Sequence, residues 1–158
     1  MLRPDILKTK ELALEDFDSF LMVMDDQLEA LHEEATNRRI TLDLSLDDLE
    51  RLEVLFDLLA DGVNSDTQAS LIVSFARHLG EVVRKNYGGR WTVPLDDEKN
   101  INFNKPVIIV HTKIKGLEFA PLTVMRAYSL RKKPGTLRRA VEADVNPQAL
   151  DLSELIED

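Results

Sequence analysis

The feature that most constrains the fold is a change in the spacing of apolar residues at Gly88 and Gly89. Before this glycine pair, apolar side chains recur every three or four residues, which is the period of an amphipathic helix. After it, Trp91, Val93 and Leu95 occupy alternate positions, which indicates a β-strand. Helices followed by a small, mostly antiparallel sheet predict an α+β fold.

The helical part divides into three predicted N-terminal helices, at about residues 15–36, 45–60 and 66–87. Ser45 and Asp48 have the spacing of a capping pair at the start of the second helix. Gly80 lies inside the third helix, where glycine is less favourable than alanine by about 1 kcal/mol. Its presence predicts a close crossing by a neighbouring helix or strand.

The elements after the glycine pair are predicted to be short. Strands are expected at residues 90–95, 101–103 and 107–111, with residues 113–119 as an extension of the sheet. Pro121 favours the first position of a helix that runs to about Arg131, where Lys133-Pro134-Gly135 ends it. A last helix at 136–143 completes a single domain of residues 1–145, and residues 146–158 form an acidic C-terminal tail.

The composition excludes several classes of protein. The chain has no cysteine, which rules out disulfide scaffolds, thiol catalysis, iron–sulfur clusters and cysteine-ligated zinc. Its longest aliphatic run, Val107 to Val110, is far shorter than the roughly 20 residues of a membrane span, and no export signal is visible. We therefore expect a soluble, cytoplasmic protein without a cofactor or a metal site.

Charge is unevenly distributed along the chain, whose net charge is −9. The net charge is −11 for residues 1–79, +8 for residues 80–141 and −6 for residues 142–158. A basic block between two acidic blocks fits either an anionic partner or pairing within the molecule. The negative overall balance favours internal pairing, because nucleic-acid-binding domains are usually basic.

The first functional hypothesis is a non-enzymatic protein-binding module. Acidic side chains occupy the first predicted helix on the side opposite its apolar stripe, and complementary charge would speed association with a basic protein. The predicted contact set is Asp18, Asp25, Asp26, Glu29 and Glu33. The apolar stripes of the first and third helices could alternatively serve a homodimer.

The second hypothesis is a nucleic-acid-associated regulator. Two helices that flank a Pro-Gly turn could bring six cations together as an anion-binding surface: Arg126, Arg131, Lys132, Lys133, Arg138 and Arg139. Only Tyr128 is available for base stacking among them. Pairing of this cluster with the acidic first helix or the acidic tail is the favoured alternative.

The third hypothesis is an enzyme, and the sequence gives it little support. No phosphate-binding glycine loop or nucleophile elbow is present, and the zinc-protease pattern that starts at His32 has Thr36 in place of its second histidine. His78 and Glu81 lie one helical turn apart, a spacing that suits a metal site or an acid–base pair, although a surface hydrogen bond or ion pair is the favoured interpretation. A catalytic site would require a pocket that also includes His111.

The most distinctive stretch is LGEVVRKNYGGRW, residues 79–91. Its tryptophan and arginines have the composition of an interface hot spot, although a buried anchor at a helix-to-strand corner is the favoured interpretation of Trp91. This corner, with the short strands and helix that follow, resembles uncharacterised bacterial proteins, some of which are thought to be immunity or accessory proteins of toxin systems. The resemblance covers residues 70–131 and brings no catalytic residue. It implies that the acidic helices cover a basic toxin surface.

Overall fold

The computed structural model describes residues 4–145, with side chains from Lys10 onward. The helices are α1 (Pro4–Met22), α2 (Met24–Asn37), α3 (Asp48–Ala60), α4 (Ser65–Tyr87), α5 (Pro121–Arg131) and α6 (Thr136–Val145). The strands β1 (Arg90–Thr92) and β2 (Val107–Ile109) form one antiparallel sheet. The α+β prediction is confirmed in outline, with helices dominating. None of the described helices is long and apolar enough to cross a membrane, and the predicted acidic tail lies outside the described residues.

The first predicted helix is in fact two helices, which meet at Val23. Next to this junction, the carbonyl oxygen of Phe20 accepts a hydrogen bond from Nε of Arg77 at 3.3 Å. A side chain that enters the hydrogen-bond ladder of a helix is a known cause of a kink. The arginine also lies over the Phe20 ring, 4.5 Å from its centroid. The number of N-terminal helices is therefore four, and the prediction of three was wrong.

The core is built around α4, which packs against α2, α3, α5 and β2. Three aromatic rings from three helices meet in it edge to face. The Phe56 centroid of α3 lies 5.2 Å from that of Phe75 on α4 and 6.0 Å from that of Tyr128 on α5. Such pairs add stability beyond the area that they bury. Leu137 and Val141 of α6 complete this core and are fully buried.

The sheet is smaller than predicted. Trp91 of β1 lies opposite Ile108 of β2, and Phe119 forms a single further bridge to Ile108. The predicted strand at residues 101–103 is wrong, because these residues form turns. The side chain of Asn100 accepts a hydrogen bond from the N–H of Asn102 at 2.9 Å, and such local bonds compete with strand pairing.

Gly80 and Trp91 join the sheet to α4. A Cβ atom at Gly80 would overlap Cζ2 of Trp91, so the predicted close crossing is made by the indole ring. The indole Nε1 donates a hydrogen bond to Oε2 of Glu81 at 2.7 Å. The ring also packs edge to face on Phe20 of α1, with centroids 5.0 Å apart. The corner from α4 to β1 is thus an anchor that ties the strand to two helices.

Candidate functional site

The carboxylate of Asp48, at the start of α3, is fully buried in a network of donors. It accepts hydrogen bonds from the backbone N–H groups of Asp43 at 3.2 Å and Leu44 at 2.8 Å. It also bonds Nε2 of His78 at 2.7 Å and Nη1 of Arg51 at 3.2 Å. A buried carboxylate needs such partners, because an unpaired one would lose its hydration without compensation. Asp48 therefore joins α3 to α4 and to the segment before α3.

The capping pair predicted at Ser45 is not formed. The residue before α3 is Asp47, which makes no side-chain capping bond. The carboxylate of Asp48 instead accepts hydrogen bonds from backbone N–H groups that precede Ser45, such as that of Leu44. The sequence therefore indicated a polar role for Asp48 at the right helix end but not its burial. Nor did it indicate the contact with His78, which lies 30 residues further along the chain.

The three side chains of the enzyme hypothesis have separate partners. His78 bonds Asp48, whereas Glu81 bonds Nη1 of Arg84 at 2.8 Å as well as the indole of Trp91. His111 is buried and bonds the carboxylate of Asp144 on α6. Within the described residues no hydrogen bond links these three groups to one another. Each of the two histidines therefore makes a structural contact between two parts of the fold.

A second buried carboxylate, Glu53 of α3, holds the start of α6. It accepts hydrogen bonds from the N–H groups of Gly135 at 2.9 Å and Leu137 at 3.0 Å. Helix N-termini leave such groups unsatisfied, so Glu53 acts as a cap supplied by another helix. The sequence carried a signal for its burial, since Glu53 lies four residues after Leu49 and three before Phe56 on the apolar side of α3.

Tyr128 of α5 is bonded to α3 in the same region. Its hydroxyl donates a hydrogen bond to Oδ1 of Asp57 at 2.9 Å. Burial, together with this carboxylate, raises the pKa of Tyr128 above its ordinary value. The contact keeps the phenol protonated and fixes α5 against α3.

The predicted contact set on α1 and α2 is exposed throughout. We call it the acidic face, defined as Asp18, Asp25, Asp26, Glu29 and Glu33. At 100° per residue, its four members on α2 fall within about 100° of the helix circumference. This arc is opposite Met24, Leu31 and Ala35, which are buried. Among the side chains that the structure describes, no member of the acidic face takes part in an ion pair.

An exposed apolar side chain lies beside the acidic face. Met22 is 81% exposed and follows Asp18 by one helical turn, so the two residues share a side of α1. Val23, at the junction of the two helices, is 37% exposed. An apolar centre with a charged surround is typical of protein interfaces.

The basic cluster is only partly available. The guanidinium of Arg138 makes two hydrogen bonds with Glu50 of α3, at 2.7 and 2.8 Å, and one with the carbonyl of Leu46 at 3.0 Å. The hydrogen bond from Arg138 lowers the pKa of Glu50. Arg138 is therefore paired with α3, whereas the sequence favoured α1 or the tail. The rest of the cluster is exposed: Arg126, Arg131, Lys132, Lys133 and Arg139.

Two cavities contain residues of interest. A cavity of about 780 Å³ lies between α1, the sheet and the segment 112–118. His78 lines a smaller one, of about 330 Å³, together with His32 on α2. In the described part of the chain, no group of three or more histidine and carboxylate side chains is placed to hold a metal ion.

Comparisons of the chain with protein-family models, with curated proteins and with solved structures found no match. The function is therefore argued from the surfaces described above. Of these, the acidic face is the one in which every predicted member is exposed.

Proposed function

We propose that this chain is a protein-binding module without catalytic activity, whose acidic face binds a basic surface of another protein. The observation that supports this proposal is that five carboxylates are exposed on the side of the helices that faces away from the core. Within the described residues they have no cationic partner of their own. A basic partner would supply the missing positive charge.

The charge on this face is unfavourable for the isolated molecule. Glu29 and Glu33 lie one turn apart on α2, where two like charges destabilise a helix by about 0.2–0.5 kcal/mol. On the same helix, Glu34 is balanced by Arg38, whose Nη1 lies 2.7 Å from its carboxylate. An unbalanced group of carboxylates is expected where the second charge comes from a partner, which it also attracts before contact.

Met22 supplies an apolar contact for the same partner. Charged contacts at a protein interface mainly set the rate of association and the choice of partner, whereas buried apolar side chains provide much of the affinity. A basic protein with a shallow apolar site between its cations would fit both features. A basic toxin would be such a partner, in line with the resemblance of residues 70–131 to immunity-type proteins.

The test is a pull-down from lysate of the native host at moderate salt, followed by quantitative binding of the protein retained. The variant Glu29→Lys with Glu33→Lys should lose most of the binding and keep its melting temperature. The matched control, Asp61→Lys with Glu98→Lys, makes the same change in net charge at exposed positions outside the face. Unchanged binding by the first variant, or equal loss in both, would refute the acidic face as the binding site.

A second candidate function is nucleic-acid binding by the basic cluster. The observation that favours it is that five of the six side chains are exposed around the turn between α5 and α6. Binding of this kind weakens steeply with salt, because phosphate contacts release counterions. The triple variant Arg131→Glu, Lys132→Glu and Lys133→Glu should abolish it. Absence of binding to duplex and single-stranded DNA and RNA at low salt would exclude this function.

A further inference from the structure

The cavity of about 780 Å³ has the size of a binding site and a mostly aliphatic wall. Its wall comes from three parts of the chain, which are α1, the two strands with their ends, and the segment 112–118. The aliphatic side chains that matter here are Leu14, Val93, Leu95, Ile109, Val110 and Leu117. An apolar wall of this extent predicts an apolar occupant.

Two wall residues are unusually exposed for their type. Leu14 is 46% exposed and Val110 is 66% exposed. Val110 also has a φ of 62°, a left-handed conformation that is rare for a β-branched residue. Strained backbone of this kind is concentrated at functional sites. The left-handed conformation of Val110 places its aliphatic side chain at the edge of the cavity, where an occupant would cover it.

The polar residues of the wall predict the charge of the occupant. Among the charged residues of the wall, Lys10, Lys113 and Lys115 are exposed, whereas Glu118 is half-buried and accepts hydrogen bonds from the side-chain amides of Asn100 and Asn102. Nζ of Lys10 lies 3.9 Å from the carboxylate of Asp96, which is itself fully exposed. Lys113 and Lys115 make no ion pair within the described residues. The occupant should therefore combine aliphatic side chains with negative charge.

A segment of the chain itself has this composition and follows Val145, which contacts the cavity wall. Residues 146–158 read NPQALDLSELIED, with four carboxylates, no basic residue and four leucine or isoleucine side chains. Just before them, the carbonyl of Val145 accepts a hydrogen bond from Oγ1 of Thr112 at 3.5 Å, and Thr112 belongs to the cavity wall. The adjacent residues also make a contact, since the carboxylate of Asp144 bonds the ring of His111.

We propose that residues 146–158 bind in this cavity, with leucine side chains against the aliphatic wall and carboxylates beside Lys113 and Lys115. The short distance between the end of α6 and the cavity gives the segment a high effective concentration there. The basic cluster would attract the same carboxylates, but it offers only Leu130 as an exposed aliphatic contact. Any outside ligand of the cavity has to displace this segment. The inference does not depend on the acidic face.

Cross-linking in the full chain tests the proposal, because the natural sequence has no cysteine. Val110→Cys with Leu152→Cys places one thiol at the cavity and one in the segment. Leu130→Cys with Leu152→Cys is the control, since Leu130 is 83% exposed beside the basic cluster. Docking should make the intramolecular disulfide of the first pair form at least about tenfold faster than that of the control. Adding Lys113→Glu and Lys115→Glu should remove most of the difference.

Equal rates for the two pairs would overturn the proposal, as would faster reaction at position 130, which would assign the segment to the basic cluster. Disulfides that form only between molecules would assign the occupant to a second copy and would likewise overturn it. Hydrogen exchange provides a measurement that needs no cysteine. Leu152→Ser with Leu155→Ser should speed exchange in residues 112–118 by about tenfold relative to the unmodified chain if the segment covers them. Unchanged exchange would contradict the proposal.

Discussion

The carboxylates of α3 and those of the acidic face are the same chemical groups in opposite environments. Asp48 and Glu53 are 0% and 5% exposed, and each accepts hydrogen bonds from groups outside its own helix. Asp25 and Glu29 on α2 are exposed, and within the described residues neither is paired with a cation. The first pair holds the fold together, whereas the second is left available to a partner.

The difference lies in the donors around each carboxylate. Removal from water is compensated at Asp48 by backbone N–H groups, a histidine and an arginine, and at Glu53 by the free N-terminus of α6. On the outer side of α2 no such donors are present among the described side chains, so water solvates the charge. Loss of a carboxylate should consequently affect stability in α3 and binding on α2.

The largest effect is expected at Asp48. Asp48→Ala should lower the free energy of unfolding by about 3–5 kcal/mol, because it leaves the buried partners of the carboxylate without an acceptor. Urea unfolding measures this loss, and Asp48→Asn serves as a second variant that keeps the volume and removes the charge. Glu29→Ala is the matched control and should change stability by no more than about 0.5 kcal/mol. A loss below about 1 kcal/mol for Asp48→Ala would remove the contrast between the two regions.

Glu53 should have the next largest effect. Glu53→Ala leaves the N–H groups of Gly135 and Leu137 without their acceptor and should lower the free energy of unfolding by about 1–3 kcal/mol. The loss should be concentrated in α6, where amide hydrogen exchange should become faster. Glu142→Ala, at an exposed position of α6, is the control. Uniform change across the molecule would argue against a specific cap.

The helices whose bounds could be predicted from the sequence are those with helix-starting or helix-ending residues next to them. The bounds of α5 follow from Pro121 at its first position and from the break at Lys133-Pro134-Gly135, and they agree with the structure. The exposure of the acidic face was likewise predictable, because it depends only on helical period. These features need no knowledge of distant residues.

The features that could not be predicted depend on contacts between distant residues. Beside the junction of α1 and α2, the carbonyl of Phe20 bonds Arg77, which lies 57 residues further along the chain. Arg138 pairs with Glu50, 88 residues away, and no sequence pattern favours α3 over α1 as its partner. The helical period is the same in a straight helix and in a kinked one, so no local pattern marks such contacts.

The ion pair of Glu50 and Arg138 is less buried than Asp48 and Glu53 but, unlike the acidic face, is paired. Its contribution to stability should depend on pH. Its hydrogen bond with Arg138 lowers the pKa of Glu50 from the ordinary value of 4.5. A carboxylate with a lowered pKa in the folded state adds stability above the unfolded value and loses it as the pH falls through the folded value. Glu50→Gln should therefore lower stability by up to about 1 kcal/mol at pH 7, since the pair is half exposed.

The same variant should match the unmodified chain in urea unfolding once the pH is well below 4, because the carboxylate is then protonated in both states. Glu29→Gln is the matched control at pH 7, where it should change stability by no more than about 0.5 kcal/mol. A difference for Glu50→Gln that persists at low pH would indicate that the side chain acts through packing.

The smallest effect on stability is expected on the acidic face itself. Glu33→Gln relieves repulsion from Glu29 and should raise the free energy of unfolding by about 0.2–0.5 kcal/mol. Asp25→Asn should lower it by up to about 0.5 kcal/mol, because the lost interaction of Asp25 with the helix dipole in the first turn of α2 outweighs the relief of repulsion from Glu29, one turn further on. Both variants should weaken binding of a basic partner.

The two variants should change the free energy of unfolding in opposite directions, while both weaken binding. This result would show that the carboxylates affect binding independently of their effect on stability. The measurements are urea unfolding and titration with the partner, each at low and moderate salt. If Glu33→Gln is instead destabilising by more than about 1 kcal/mol, its carboxylate has a structural partner and resembles those of α3. The binding surface would then consist of those members of the acidic face whose removal leaves the stability of the fold unchanged.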